Sequence, residues 1–317
     1  MALNGSSGPP RAVTLPRHRL RSLATTVYNL HPPPPPPKTP ARPITAVCIS
    51  DTHTTQPILP PGDLLLHAGD LSEIGSLAEI QAQLDWLSSQ PHTHKVVIAG
   101  NHDVLFDPAF LEAYPERKYG NPEVTAADLD FGSVVYLQDK AVTLRFPDKD
   151  GPGRELKIYG SPTTPRYGVS AFQVPRARDV WSGTVPDGTD ILLTHGPPWM
   201  HLDGALRSGC MSLAQEIARA RPRLVVCGHI HVGYGEEEVR FDKVRRAYEG
   251  IIGGWEGHGT LLVMGLYVMW AKVTSALLPA FLRSRWTKEE RLTKLVNAAV
   301  VGGKSNEYRN PPIVVHL

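Results

Sequence analysis

Short apolar runs, each breaking off into a polar cluster, organise this chain. Ile44–Ser50, Asp63–His67 and Lys95–Ala99 have the length and composition of buried strands. Between the second and third, Leu77, Ile80, Leu84 and Leu87 recur at steps of three and four, which predicts an amphipathic helix over Ser76–Gln90. Ser76 suits its N-cap, with Glu79 three residues on as in a capping box. Strand, loop, helix, strand is the opening of an α/β layered domain. Val134–Leu137, Val142–Phe146, Leu156–Gly160, Ile191–Thr194 and Leu224–Cys227 read as further strands, and a helix over Ser212–Ala220 precedes the last of them. Leu295–Val301 and Ile313–Val315 close the pattern. Several late strands leave no room for crossover helices, so antiparallel or mixed pairing is expected.

Composition changes this picture at the N-terminus. Residues 1–43 hold eleven of the thirty prolines, including the run Pro32–Pro37, together with six Lys and Arg and no acid. A proline run is stiff and lacks backbone donors, so it cannot join a sheet. The segment reads as a disordered basic leader, a spacer in preference to the alternative of a proline-recognition ligand. Its acid-free character weakly resembles a mitochondrial presequence, but Pro9, Pro10 and Pro16 interrupt any clean amphipathic helix. The remainder carries 27 basic against 31 acidic residues, which argues against extended nucleic-acid contact. Cys48, Cys210 and Cys227 show no paired spacing. They suit buried packing in a reducing compartment, and with no apolar signal segment the expected location is intracellular.

The polar clusters carry the chemistry. They are Asp51-Thr52-His53, Gly69-Asp70, Gly100-Asn101-His102-Asp103, Thr194-His195-Gly196 and Gly228-His229-Ile230-His231. Each follows a strand-like run, where a side chain is held rigidly and the loop beyond is free to specialise. Asp51 and His53 are two apart, as are His229 and His231, which on extended backbone sets each pair on one side. A carboxylate, imidazole and amide mixture suits Mn²⁺, Fe²⁺ or Zn²⁺ better than Ca²⁺. Two such ions about 3.5–4 Å apart, shared by one Asp, can clamp an in-line displacement at phosphorus. The glycines beside the clusters permit tight turns and close backbone approach.

The order D-x-H, G-D, G-N-H-D, H, G-H-x-H resembles the calcineurin-like metallophosphoesterase superfamily. Linking stretches such as His67-Ala68-Gly69-Asp70, Leu193-Thr194-His195-Gly196-Pro197-Pro198 and Asn310-Pro311-Pro312 resemble its MPPED-type branch, akin to class III cyclic-nucleotide phosphodiesterases. The resemblance covers roughly residues 44–249 and 292–317. It implies a two-sheet sandwich of mixed strands flanked by helices. It also implies one metal on Asp51, His53, Asp70 and His231, and a second on Asp70, Asn101, His195 and His229, with Asp70 bridging. His102 would then lie beside the metals to stabilise charge or protonate the leaving oxygen, with Asp103 orienting it. The implied reaction is hydrolysis of a small phosphoester or phosphodiester by metal-bridging hydroxide, Mn²⁺ being the expected metal. A binding module with a vestigial site and a nuclease are the competing readings. Loop residues Thr163, Thr164, Arg166, Tyr167, Trp199 and His201 are candidates for the pocket.

One stretch departs from the family pattern. An apolar helical insertion falls at about residues 250–291, within which 260–282 is almost wholly apolar and is followed by Arg283, Arg285 and Lys288. It is long enough to span a bilayer. Lys272 near its middle costs roughly 2.5–3.5 kcal/mol on insertion scales, and strands that belong to the domain resume after it. Packing on its own domain, self-association and docking to a membrane surface stay open.

Overall fold

The computed structural model describes residues 17–33, 42–148, 151–277, 292–303 and 307–317. The chain divides into two compact units, residues 36–239 with 291–317 and residues 1–35 with 240–290.

The larger unit is built on two sheets. In the first, β1 (Thr45–Ile49), β2 (Leu64–His67), β3 (His94–Val97) and β4 (Val134–Tyr136) pair in parallel in that order. In the second, β5 (Lys140–Asp148) and β6 (Gly151–Ser161) form an antiparallel hairpin. Two short strands, β7 (Thr164–Pro165) and β8 (Gln173–Val174), pair by themselves. β6 continues in parallel with β9 (Ile191–Thr194), then β10 (Leu224–Cys227), then the later strand at Leu292–Asn297. β11 (Gly235–Arg240) forms the edge beside that strand, which is β12. β13 (Val301–Gly302) pairs with β14 (Tyr308–Arg309), and β15 (Ile313–His316) closes the first sheet antiparallel to β1.

Alternation along the strands makes the sandwich. Ala46, Cys48, Leu64, Leu66, Val96 and Ile98 of the first sheet meet Leu156, Ile158, Leu193, Leu224 and Val226 of the second. The intervening Val47, Ile49, Leu65 and Val97 point the other way, onto Ile80, Leu84 and Leu87 of the helix α2 (Leu77–Ser89). Each such side chain, fully buried, contributes roughly 1.5–3 kcal/mol. The Ser76 hydroxyl accepts from Glu79 N as expected for the N-cap, but the Glu79 carboxylate takes Ile74 N, so the box is not reciprocal. A six-residue helix α3 (Pro108–Ala113) and α4 (Met211–Ala220) complete the unit.

The strand expected over Leu295–Val301 is broken. After Asn297 the chain leaves the second sheet: Ala298 O accepts from Ser50 N, and Val300 N donates to Ser50 O. Ser50 and Ala299 form an isolated parallel bridge. This crossing stitches the two sheets together immediately before Asp51. β11 escaped the apolar pattern because an edge strand bearing Glu236, Glu237 and Glu238 has little apolar content to reveal it.

The smaller unit is helical. The leader reading needs correction here, since Arg17–Asn29 forms the helix α1, which buries Leu20 and Ala24. These pack with Val244, Ala247 and Ile251 of α5 (Lys243–Gly253) and Met264 and Val268 of α6 (His258–Leu277). Tyr28 stacks on Tyr248 at 4.4 Å, and Arg245 Nη1 donates to the Tyr28 hydroxyl. α1 was illegible because its apolar stripe is only a few residues wide and its partners are more than two hundred residues away. The stretches 34–41 of the proline-rich segment and 278–291 of the apolar segment lie outside the described residues.

Candidate metal centre

The carboxyl ends of five strands converge on one place. Asp51 follows β1, Asp70 follows β2, Asn101 follows β3, His195 follows β9 and His229 follows β10. Open α/β sheets bind ligands outside the carboxyl ends of their parallel strands, because loops there diverge and leave a crevice. Direct bonds join the two sheets at this edge. His229 N donates to both Asp51 carboxylate oxygens at 3.0 Å, and His195 Nδ1 donates to Ala68 O, while Gly228 N donates to His195 O within the second sheet.

Two clusters of donor atoms result. One contains Asp51, His53 and His231, the other Asp70, His195 and His229, with donor atoms in each within 4.8 Å of one another. Asn101 Oδ1 lies 3.0 Å from His195 Nε2 and joins the second. Asp70 connects the two: its Oδ2 is 3.8 Å from His53 Nε2 and 3.4 Å from His195 Nε2. Its Oδ1 is turned away and accepts His102 N at 2.8 Å.

The backbone that achieves this is not the extended one expected from the spacing. Asp51, His53, Asp70 and His229 all have left-handed φ, from 42° to 64°. Such conformations cost non-glycine residues about 1–3 kcal/mol each and persist where the surrounding structure imposes them. Asp51 and His53 therefore meet through a left-handed turn, not a pleat. His229 and His231 do not share a side: His229 joins the Asp70 cluster, and His231, on a short 3₁₀ turn, joins Asp51 at 3.3 Å. Gly100 and Gly228 are required by close approach. A Cβ at Gly100 would lie 2.2 Å from Asp70 Oδ1, and one at Gly228 would lie 2.0 Å from Asp51 Oδ2.

The donors are prepared for a cation. His195 Nδ1–H is held by Ala68 O, which turns Nε2 toward Asn101 Oδ1 and Asp70 Oδ2. Burial disfavours the charged ring, but Asp70 and Asp51 outweigh it and raise its pKa to about 9, so Nε2 carries a proton that a cation would replace. His53 is buried, and neither ring nitrogen makes a well-formed hydrogen bond among the described residues, although carboxylate oxygens lie 3.2 Å from Nδ1 (Glu73) and 3.8 Å from Nε2 (Asp70). Buried polar atoms left so are expensive unless something binds them. Burial raises the Asp51 and Asp70 pKa values, but hydrogen bonds and charges from His231 and His195 outweigh it; Asp51 falls to about 2 and Asp70 well below the usual carboxylate range. Burial depresses His229 to about 4, so its imidazole is neutral and able to donate a lone pair at neutral pH. The residues present fit divalent ions.

Asp103 needs correction. Its buried carboxylate accepts from Leu71 N, Ser72 N, the Ser72 hydroxyl and Gly100 N, at 2.5–3.1 Å. It clamps the Asp70 loop to the Asn101 loop, and the His102 ring is oriented instead by Glu73 O, 2.6 Å from Nδ1. Of the proposed pocket residues, Thr164 and His201 are buried, the latter 2.7 Å from Glu237 Oε1, while Arg166 and Tyr167 are exposed.

Three residues beyond the motifs support the site. Asn297 Nδ2 donates to Ile230 O, between His229 and His231, and to Leu202 O. Glu73 Oε2 lies 3.2 Å from His53 Nδ1, and Glu73 forms a third donor group with His53 and His102. Only the position of Glu73, three residues after Asp70, could have signalled it. Glu73→Gln is expected to weaken divalent-ion affinity by about tenfold while leaving the unfolding midpoint unchanged, because the side chain is half exposed. Chelator competition beside thermal melting checks this; an unchanged affinity contradicts it.

His67 is the third. Its Nδ1 accepts from Gly69 N, so Nε2–H donates to the Thr52 hydroxyl, tying the ends of β1 and β2 together. Burial lowers its pKa from 6.5 to about 4. As pH falls between those values the unfolded chain takes up a proton that the folded chain refuses, so stability drops by about 1.4 kcal/mol per pH unit. Above 6.5 the contribution is fully present. Urea unfolding at pH 7 and pH 5 should show a gap that narrows in His67→Gln; an equal gap in both proteins contradicts this role.

A two-sheet α/β sandwich whose facing strand ends carry paired carboxylate and imidazole clusters is the architecture of a metallophosphoesterase. Residues 44–233 match the calcineurin-like phosphoesterase family, and the chain belongs to it. The family consists of metal-dependent phosphoester hydrolases, typically dinuclear. The chain is 42% identical over 304 residues to "Probable rhamnogalacturonate lyase C" of Emericella nidulans, covering 95% of this chain but 27% of that protein. It therefore spans about a quarter of that relative's length, and the relative's name describes the longer protein. It is 37% identical over 250 residues to "Metallophosphoesterase domain-containing protein 1" of Homo sapiens and of Mus musculus, covering 73% of this chain and 74% of each relative.

Proposed function

We propose that this chain is a dinuclear-metal-dependent hydrolase of phosphodiesters. The observation that carries the reading is the joining of two donor clusters through Asp70 Oδ2, within 3.8 Å of His53 and 3.4 Å of His195. Asp51, His53, Asp70 and His231 would hold one ion, and Asp70, Asn101, His195 and His229 the other. The mixed oxygen and nitrogen donors favour Mn²⁺, with Fe²⁺ and Zn²⁺ also suited. When bound, such a pair lowers the pKa of water to roughly 7 and offsets charge on phosphoryl oxygens.

The protein's own groups position and protonate. The His102 ring stands edge-on to His53, with centroids 4.7 Å apart, fixed by Glu73 O and by its backbone bond to Asp70. That leaves Nε2 to face a substrate. Burial disfavours protonation of His102, but Asp70 and the Glu73 carbonyl outweigh it and raise its pKa. The ring is thus suited to donate a proton to the leaving oxygen, which carries the developing negative charge. Hydrolysis of a bis-aryl and a mono-aryl phosphate in Mn²⁺ tests the reading. Faster cleavage of the diester is expected; a preference for the monoester contradicts diester specificity, and cleavage of neither contradicts a hydrolase.

A further inference from the structure

The helix α6 presents a surface that a water-facing helix does not ordinarily carry. Met264 and Val268 are its buried residues, and they turn inward onto α1 and α5. On the opposite side Leu262, Leu266, Met269, Trp270, Val273 and Leu277 stand 46–75% exposed. Their spacing of four, three, one, three and four residues places all six on one stripe. At 1.5 Å per residue the stripe is about 22 Å long, and α6 carries no acidic residue. At 20 residues it is long and apolar enough to cross a membrane. The two ordinary explanations for such a helix fail here, because it is neither a buried core helix nor near the N-terminus.

Charge identifies what covers the stripe. The unit to which α6 belongs, residues 1–35 with 240–290, has twelve Lys and Arg against five Asp and Glu. The rest of the chain has 21 against 26. A basic helical unit with an exposed apolar stripe complements an anionic bilayer, where basic side chains meet acidic headgroups and apolar ones enter the acyl boundary. Two copies of the unit would bring like charge together.

Topology sets the mode of binding. β11 ends at Arg240 and β12 begins at Leu292, and they are neighbours in one sheet. The chain must therefore return to the side from which it left. Residues 278–291 hold Arg283, Arg285, Lys288, Glu289 and Glu290, a composition unsuited to a second crossing. Lys272 lies off the stripe, where its stem can reach along the apolar surface while its ammonium stays in water. We propose that α6 lies in the plane of an anionic lipid bilayer as a peripheral anchor, its Leu262–Leu277 stripe downward.

The test is co-flotation of the full chain with phosphatidylcholine vesicles, with and without phosphatidylserine. Binding is expected to be at least tenfold stronger to the anionic vesicles and to weaken with salt. The double variant Leu266→Asp/Trp270→Asp should lose at least tenfold in binding while keeping the parent's melting temperature and its activity on a soluble aryl phosphate. Both side chains point to solvent, so folding does not depend on them; Leu262→Ser/Leu277→Ser provides a second pair with the same expectation. Equal flotation of parent and variants, or no preference for anionic lipid, overturns the proposal. So does a dimer in sedimentation that the variants convert to monomer without any change in lipid binding, which would assign the stripe to a second copy of the chain.

Discussion

Replacing Asp70 with Asn is expected to lower phosphodiester hydrolysis by at least about a thousandfold, roughly 4 kcal/mol of barrier. Asn keeps the shape of the side chain and an oxygen for His102 N, which Asp70 Oδ1 accepts at 2.8 Å. What it removes is the negative charge on the atom that faces both His53 and His195. Without that charge the two clusters would share no anionic donor, and the two ions of the proposed centre would lose their common ligand. Turnover of an aryl phosphodiester at saturating Mn²⁺ measures the effect, beside circular dichroism to show that the fold is kept. Activity within tenfold of the parent's would remove Asp70 from the bridging role.

Replacing Asp103 with Ala should act differently, through stability. Four donors, from Leu71, Ser72 and Gly100, end on its carboxylate inside the protein. An unsatisfied buried donor costs about 1–3 kcal/mol, so a loss of at least roughly 3 kcal/mol is expected from removing all four bonds at once, after relaxation. Urea denaturation reads this directly. If Asp103 served to orient His102, the variant would keep its stability and lose activity to the extent that a His102→Ala variant does; that pattern contradicts the clamp.

These two residues show how much of the site the sequence made legible. Apolar runs located β1, β2, β3, β9 and β10, and their polar ends placed Asp51, Asp70, Asn101, His195 and His229 at one edge. Strand ends are legible because burial forces continuous apolar composition right up to the point where chemistry begins. Spacing misled where the chain leaves the strand. The left-handed φ values of Asp51, His53, Asp70 and His229 cannot be read from residue types, since glycine is the residue that such conformations favour. The carboxylate and imidazole side chains that the proposed site uses hold those positions against their backbone preference. The family resemblance misleads at Asp103 for a related reason: a motif carried over by residue type does not show which backbone N–H groups fold over its carboxylate.

Outside the site, legibility follows the range of the contacts. α2 could be read from its own stripe and cap, but α1 gains its partners from α5 and α6, far along the chain. The break after Asn297 was hidden because Ala298, Ala299 and Val300 are as apolar as the strand before them. Only their hydrogen bonds to Ser50 and Cys227 show that they cross between sheets. The three cysteines are free and buried, in accord with their unpaired spacing.

The central claim is that Asp51, His53 and His231 on one side of Asp70, and Asn101, His195 and His229 on the other, make two metal sites from one set of strand ends. The metal-to-protein ratio of the full chain, loaded with Mn²⁺, dialysed and measured by plasma mass spectrometry, tests it most directly. The account predicts two ions per chain. A ratio of one, or of none, would contradict it.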